Sequence, residues 1–273
     1  MFPTLTDEIS FYQKSRKMLG TLIAGGSKIQ LKVPLEKLSM SAAASCVPSD
    51  GKPSPMVSIQ GVSRDGLEKL IALFNSNHSQ PTDYVYLALI NSFDMFVVTG
   101  RLNVVVQFVH FIRQHCATPG TDQSSIPFAQ RKHMVNISYV NSSIVTHCAL
   151  QQNSVDWIGK LDDKKNWSYN CGDTQEIPSV MVNGIDISSG INLDEMVARV
   201  LFTDLFDWPK TLKGADATHI VDFSPGGFSA FARLARGIVD GSGINIISCS
   251  SLLAHKIRLL GSKADLFQRD IRS

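Results

Sequence analysis

Residues 84–100 read Tyr-Val-Tyr-Leu-Ala-Leu-Ile-Asn-Ser-Phe-Asp-Met-Phe-Val-Val-Thr-Gly, the strongest structural signal in the chain. Tyr84–Ile90 and Met95–Thr99 are rich in aromatic, aliphatic and β-branched residues, which predicts two strands. The residues between them, Asn91–Asp94, leave room only for a tight connection, so the two strands are expected to pair antiparallel. Gly100 then ends the second strand.

Helical patterns flank this hairpin on both sides. Before it, Met56–Gln60 predicts a strand, and Ser63 predicts the N-cap of an amphipathic helix. After it, Leu102–Arg113 predicts a second amphipathic helix, and a fourth strand is expected near 133–140. The order β-α-β-β-α-β is that of a small ferredoxin-like unit.

The C-terminal half follows a different pattern. Thr218–Phe223 and Ile244–Ser248 are continuous apolar runs, with a helix predicted over 228–236 between them. Apolar strands that alternate with helices indicate a parallel α/β sheet covered on both faces. The few strands of this part suggest that more chain is needed to complete the sheet.

Four further elements are weaker. Residues 7–24 are expected to form a helix, and 148–166 a helix or an irregular segment. Ser179–Val182 predicts a strand followed by an Asn183-Gly184 turn. Leu193–Phe206 predicts an amphipathic helix with acidic residues in its first turn.

Composition narrows the functional classes. Apolar residues make up 44% of the 273 residues, charged residues 18%, and the net charge is +2, so the chain is expected to be globular without a nucleic-acid partner. Its apolar runs are short and no signal peptide is evident, so no membrane association is expected. The five irregularly spaced cysteines favour a reducing, cytoplasmic location over a disulfide framework or a zinc site, and no metal is expected.

Five segments together carry a resemblance to a known family. They are Pro53–Ile59; Ala88–Asn91 with Phe96–Gly100; Gly120–Lys132; Thr146–Leu150; and His219–Gly227. With these segments the chain resembles, over essentially its whole length, the acyltransferase domain of the fungal-type fatty acid synthase beta subunit. It is more distantly similar to the malonyl and acetyl transacylases of type II systems.

The resemblance implies an α/β fold, a partial α/β-hydrolase-like transacylase core with an inserted ferredoxin-like subdomain. Residues 1–50 would then be a helical segment of the core, 51–142 the small subdomain and 143–273 the remainder of the core.

The resemblance also implies a reaction. In the family, a serine on a Gly-x-Ser-x-Gly turn takes an acyl group from acyl-CoA and passes it to the phosphopantetheine of an acyl carrier protein. His147, in Thr-His-Cys-Ala-Leu, matches the general base, and no bound cofactor is implied. No Gly-x-Ser-x-Gly occurs in the 273 residues, so the chain is expected to begin just beyond that turn and to be inactive alone.

Four further positions are implied at the substrate site. Asn91 matches an asparagine that lines the transacylase cleft, although an ordinary turn asparagine fits the pattern equally. Pro225 and Gly226 belong to a turn whose carbonyl side orients the histidine in the family, although Ser224 replaces the family's glycine. Gly25 stands where malonyl-selective members carry a carboxylate-binding arginine, which favours an uncharged, acetyl-like acyl group, although Gly25 also fits a plain helix stop.

Three functions remain open at this point. In the first, the chain is part of an acyltransferase whose nucleophile lies on another segment. In the second, it is a non-catalytic remnant or assembly module of a fatty acid or polyketide synthase complex, and in the third it is an independent hydrolase or transferase with an unrecognised nucleophile. In the first two, its partners are the acyl carrier protein and the remaining segments of the complex. Cys148 is a poor nucleophile candidate because it lacks the flanking glycines of an elbow.

Overall fold

The structure is a computed structural model, and it describes residues 37–142, 145–159, 181–186, 193–214, 217–222 and 230–248. A short helix, α1 (Met40–Ala44), comes first among these. The predicted β-α-β-β-α-β order follows. Its elements are β1 (Met56–Gln60), α2 (Arg64–Asn75), β2 (Tyr86–Ile90), β3 (Met95–Thr99), α3 (Leu102–His115) and β4 (Asn136–Tyr139).

The remaining described elements are shorter and lie in the C-terminal half. They are α4 (Gln152–Gly159), β5 (Met181–Val182), β6 (Ile185–Asp186), α5 (Leu193–Phe202), β7 (Phe206–Asp207), α6 (Trp208–Gly214), β8 (His219–Asp222), α7 (Ala230–Val239) and β9 (Asn245–Ser248). The helix expected over 7–24 lies outside the described residues.

The main sheet has the strand order β4-β1-β3-β2-β7. β1 pairs antiparallel with both β3 and β4, and β2 pairs antiparallel with β3, as the hairpin pattern predicts. β7 joins the edge of this sheet parallel to β2, with Leu89 opposite Phe206 and Ile90 opposite Asp207. The ferredoxin-like unit therefore continues into a strand from the C-terminal half.

Alternation along the strands divides the sheet into two faces. Val57, Ile59, Phe96 and Val98 face α2 and α3 and form the main core with apolar residues of both helices. The Ser63 hydroxyl accepts from the Gly66 amide at 3.2 Å and caps α2, as predicted. Burial of this face against two helices is what makes the small unit stable.

The opposite face carries a smaller apolar cluster, which contains Met56, Ala88 and Val97. A bulge in β2 places Ala88 and Leu89 together on this face, because the register with β3 shifts between Leu87 and Leu89. The bulge thereby restores Ile90 to the helix-covered face.

The C-terminal strands form a βαβ unit, as the sequence predicts. β8 and β9 pair parallel over four residue pairs. α6 and α7 pack on them through a cluster that contains Leu212, Ile238, Ile220 and Ile246. Among the described residues, these helices cover one face of the β8–β9 sheet, and Ile247 on the other face is 38% exposed.

The prediction that one helix extends from Leu193 to Phe206 is wrong at its C-terminal end. The helix stops at Phe202, because the amides of Thr203 and Asp204 both bond to the Arg199 carbonyl and close the last turn. Phe206 instead enters β7, where cross-strand pairing outweighs the helical pattern.

Two glycines with similar backbone conformations, Gly61 and Gly120, test how tightly the chain packs next to β1. Gly61 follows β1 at φ +95°, and a Cβ there would lie 2.3 Å from the Met134 carbonyl oxygen. Gly120 has a similar φ of +85°, but a Cβ there would meet nothing within 4 Å. We therefore expect Gly61→Ala to lower the unfolding free energy by about 1–3 kcal/mol more than Gly120→Ala, as measured by urea unfolding. Equal losses in the two variants would contradict this packing.

Candidate active site

His147 lies on the loop between β4 and α4, and contacts on either side fix it in place. The Thr146 hydroxyl contacts the Met56 sulfur at 3.3 Å, on the face of the sheet opposite its helices. The Cys148 amide donates to the Phe202 carbonyl at 3.0 Å. Between them, His147 has φ 57°, a left-handed conformation that is uncommon and costly for a residue with a Cβ.

The imidazole is oriented by a backbone carbonyl. His147 Nδ1 lies 3.3 Å from the Asp204 carbonyl oxygen. A carbonyl only accepts, so this hydrogen bond requires the hydrogen on Nδ1. In the neutral ring the lone pair is then on Nε2, and this tautomer can take a proton from a substrate or a nucleophile through Nε2.

Burial sets the protonation state of this ring. It lowers the pKa of His147 from its ordinary value of 6.5, because the imidazolium loses hydration. The carbonyls of Asp204 and Val200 and the Asp204 charge oppose this effect without reversing it. His147 is therefore mainly in its neutral form at pH 7, which is the form that can act as a base.

Asn91 is connected to His147 through a single segment of chain. Asn91 follows the end of β2, and its amide donates to the Met95 carbonyl at 2.9 Å. Segment 204–207 supplies the carbonyl that holds His147 and also pairs with Leu89 and Ile90, immediately before Asn91. Among the described contacts, no hydrogen bond joins the two side chains directly. The other predicted site residues, Gly25, Pro225 and Gly226, lie outside the described residues.

The Asp204 carbonyl is a site group that sequence reasoning missed. The pattern favoured a helix that runs through Asp204 to Phe206, whereas the observed helix ends at Phe202 and leaves the Asp204 carbonyl in the connection that follows. The residues that mark the break are Trp208-Pro209, since proline is tolerated only in the first turn of a new helix.

Cys148 has the environment of a packed residue and lacks that of a nucleophile. Its side chain is 2% exposed, and burial raises the pKa of its thiol to about 11. The thiolate, which is the reactive form, is therefore scarce at neutral pH. This agrees with the sequence argument against Cys148.

Metal-ligand clusters and membrane-spanning helices are absent from the described part of the chain. Its histidines, cysteines and carboxylates form no group of three or more that could hold a metal ion. None of its helices is long and apolar enough to cross a membrane.

Comparison with solved structures identifies the class of fold. The malonyl CoA-acyl carrier protein transacylase of Clostridium perfringens superposes with a TM-score of 0.51 at 13% identity, over 81% of this chain and 61% of that one. The corresponding transacylase of Xanthomonas oryzae gives a TM-score of 0.52 at 14% identity, over 80% and 60%. The chain has the transacylase fold, an α/β-hydrolase-like core with a ferredoxin-like subdomain.

Sequence relatives narrow this class to a particular group. The fatty acid synthase beta subunit of Monascus ruber is 30% identical over 94% of the chain. The beta subunits of Saccharomyces cerevisiae and Schizosaccharomyces pombe are 28% and 26% identical over 94% and 98% of it. The chain is thus homologous to one segment of the fungal fatty acid synthase beta subunit, and it spans 13% of the length of these relatives. No family model matches it.

The lowered pKa of His147 predicts a pH dependence of stability. The unfolded state binds this proton more readily than the folded state, so the unfolding free energy falls as the pH drops through 6.5 towards the folded pKa. His147→Asn removes the titration, and asparagine tolerates the positive φ. Urea unfolding between about pH 8 and pH 5 should therefore give a steeper decline for the native chain than for His147→Asn. Parallel curves would show that the ring titrates alike in both states.

The burial of Cys148 predicts low reactivity. A pKa of about 11 instead of 9.0 lowers the thiolate fraction about 100-fold. In the folded chain, iodoacetamide at pH 7.5 should therefore leave Cys148 unmodified while the urea-unfolded chain reacts fully, as peptide mass mapping would show. Equal labelling of Cys148 in both states would contradict the described packing.

Proposed function

We propose that this chain provides the general-base side of an acyl-CoA:acyl carrier protein acyltransferase site of the fatty acid synthase type. The observation that carries the proposal is the state of His147. Its Nδ1 hydrogen is held by the Asp204 carbonyl, and burial favours the neutral ring, in which Nε2 is the proton acceptor. Homology to fungal fatty acid synthase beta subunits and the transacylase fold support the same conclusion.

The proposed chemistry has two symmetric halves. Nε2 of His147 takes the proton of a serine hydroxyl as the serine oxygen attacks the thioester carbonyl of acyl-CoA. The carbon–sulfur bond then breaks, and the proton returns to the CoA thiolate. In the second half, His147 takes the proton of a phosphopantetheine thiol, the thiol attacks the seryl ester, and the serine recovers its proton.

The serine is proposed to come from a segment outside these residues. The 273 residues contain no Gly-x-Ser-x-Gly, and Cys148 is buried with a raised pKa. Without a nucleophile there is no covalent step, so the chain by itself is expected to be catalytically silent. Its proposed partners are the acyl carrier protein and the other segments of a fatty acid synthase complex.

The substrate preference proposed for this site is an uncharged, acetyl-like acyl group. From the sequence resemblance, Gly25 is proposed to stand where malonyl-selective members carry an arginine, so a carboxylate would lack its bidentate partner. Asn91, Pro225 and Gly226 are proposed to line the same cleft. The proposed limits of the small subdomain remain 51–142, between core segments 1–50 and 143–273.

Covalent loading tests this proposal. The unmodified chain, incubated with labelled acetyl-CoA, should show no acyl adduct by intact mass. A fusion with the nucleophile-turn segment of a fungal beta subunit should acquire one acetyl group on its serine. The initial loading rate should fall about 100-fold or more in the fusion with His147→Asn, since general base catalysis contributes about that much.

Two controls sharpen the result. Serine→Ala in the fused turn should abolish loading, and malonyl-CoA should load more slowly than acetyl-CoA. An acyl adduct on the unfused chain that survives replacement of all five cysteines would contradict the expected absence of covalent loading. A folded fusion that never loads would favour the non-catalytic assembly module instead.

A further inference from the structure

The side chain of Asn183 hydrogen-bonds to segment 204–207, whose Asp204 carbonyl orients His147. Its side-chain amide nitrogen donates to the Leu205 carbonyl at 2.8 Å, and its side-chain oxygen accepts from the Asp207 amide at 2.6 Å. One amide group thus binds two backbone groups that flank Phe206. These contacts begin one residue after Asp204, whose carbonyl orients His147.

The turn that presents Asn183 is itself well defined. β5 and β6 are joined by the two-residue connection Asn183-Gly184, with φ values of 53° and 80°. Both values are left-handed, as a type I′ turn requires, and the Asn-Gly pair is a favoured sequence for it. The side chain of Asn183 is therefore presented from a fixed backbone.

A second set of contacts secures the other side of the segment. The backbone amide of Asn183 donates to the Thr211 hydroxyl at 2.9 Å, and that hydroxyl donates to the Asp207 backbone carbonyl at 2.9 Å. The Asp207 carboxylate accepts from the Lys210 amide at 2.9 Å and so caps α6. The turn, β7 and α6 therefore form one hydrogen-bonded unit.

The geometry points to Asn183 as a positioning residue for the base: its amide holds segment 204–207 so that the Asp204 carbonyl fixes His147 in the Nδ1–H form. This role rests on the proposed function, in which Nε2 of His147 is the proton acceptor. Asn183 touches neither the imidazole nor a reacting atom, so it acts through the backbone. An amide suits this task because it donates and accepts at once, which a carboxylate or a hydroxyl of the same reach does not do with the same two atoms.

Two variants of Asn183 separate the effect of the turn conformation from the effect of the two side-chain hydrogen bonds. Asn183→Gly keeps a residue that tolerates φ 53° but loses both side-chain hydrogen bonds. Asn183→Asp keeps the acceptor for the Asp207 amide and places an oxygen against the Leu205 carbonyl. The matched control is Asn75→Ala. The Asn75 side chain likewise accepts from the Val85 backbone amide at 3.0 Å and donates to the Val85 carbonyl at 2.9 Å, within the small subdomain.

The measurement is the tautomeric state of His147, read from the two ring ¹⁵N shifts of the full 273-residue chain at pH 8. In the native chain the shifts should be widely separated, as for a fixed Nδ1–H form. In Asn183→Gly the separation should narrow as the two tautomers interconvert, and hydrogen exchange at the Asp207 amide should quicken about tenfold. Asn75→Ala should leave both signals unchanged.

Each result decides the role of Asn183. A fixed Nδ1–H form in folded Asn183→Gly would overturn the positioning role, as would an equal loss in Asn75→Ala. If Asn183→Gly does not fold, Asn183→Asp gives the same test, with the same narrowing expected. Because the readout needs no acyl transfer, a failure of the loading experiment and a failure of this inference remain distinguishable.

Discussion

The parallel pairing of β7 with β2 is the contact on which the rest of the site depends. Two residue pairs, Leu89 with Phe206 and Ile90 with Asp207, attach the C-terminal half to the edge of the ferredoxin-like sheet. An ion pair between Arg64 and the buried Asp207 carboxylate, at 3.6 Å, adds a smaller contribution because the arginine is half exposed. The Cys148–Phe202 hydrogen bond ties the His147 loop to the residues just before segment 204–207, and the β7–β2 pairing ties the end of that segment to the strand that precedes Asn91.

The bulge in β2 has a consequence at the same edge. Since Ala88 and Leu89 share the face opposite the helices, Ile90 returns to the helix side, and alternation assigns the next position, Asn91, to the opposite face. That is also the face where Thr146 contacts Met56, one residue before His147. A regular strand would have reversed the assignment of Asn91.

The sequence predicted those features that local patterns encode. The hairpin over 84–100, the Ser63 cap, the Asn183-Gly184 turn and the parallel β8–β9 pair all follow from residue types and spacing within a few positions. The anchoring of His147 could not be predicted in this way, because the acceptor is a backbone carbonyl and every residue has one. Nor could the pairing of β7, because two residues are too short to give a strand period.

The backbone of His147 bears on the choice between a catalytic and a purely structural role. A left-handed conformation costs a residue with a Cβ about 1–2 kcal/mol, and glycine or asparagine would relieve most of it. Burial disfavours the charged form of the imidazole, and the Nδ1 hydrogen bond to the Asp204 carbonyl is long, at 3.3 Å. In this strained position the ring is mainly in its neutral form, with its Nδ1 hydrogen directed at the Asp204 carbonyl. Backbone strain of this kind is concentrated at functional sites, which supports the proposed general-base role of His147 over a purely structural one.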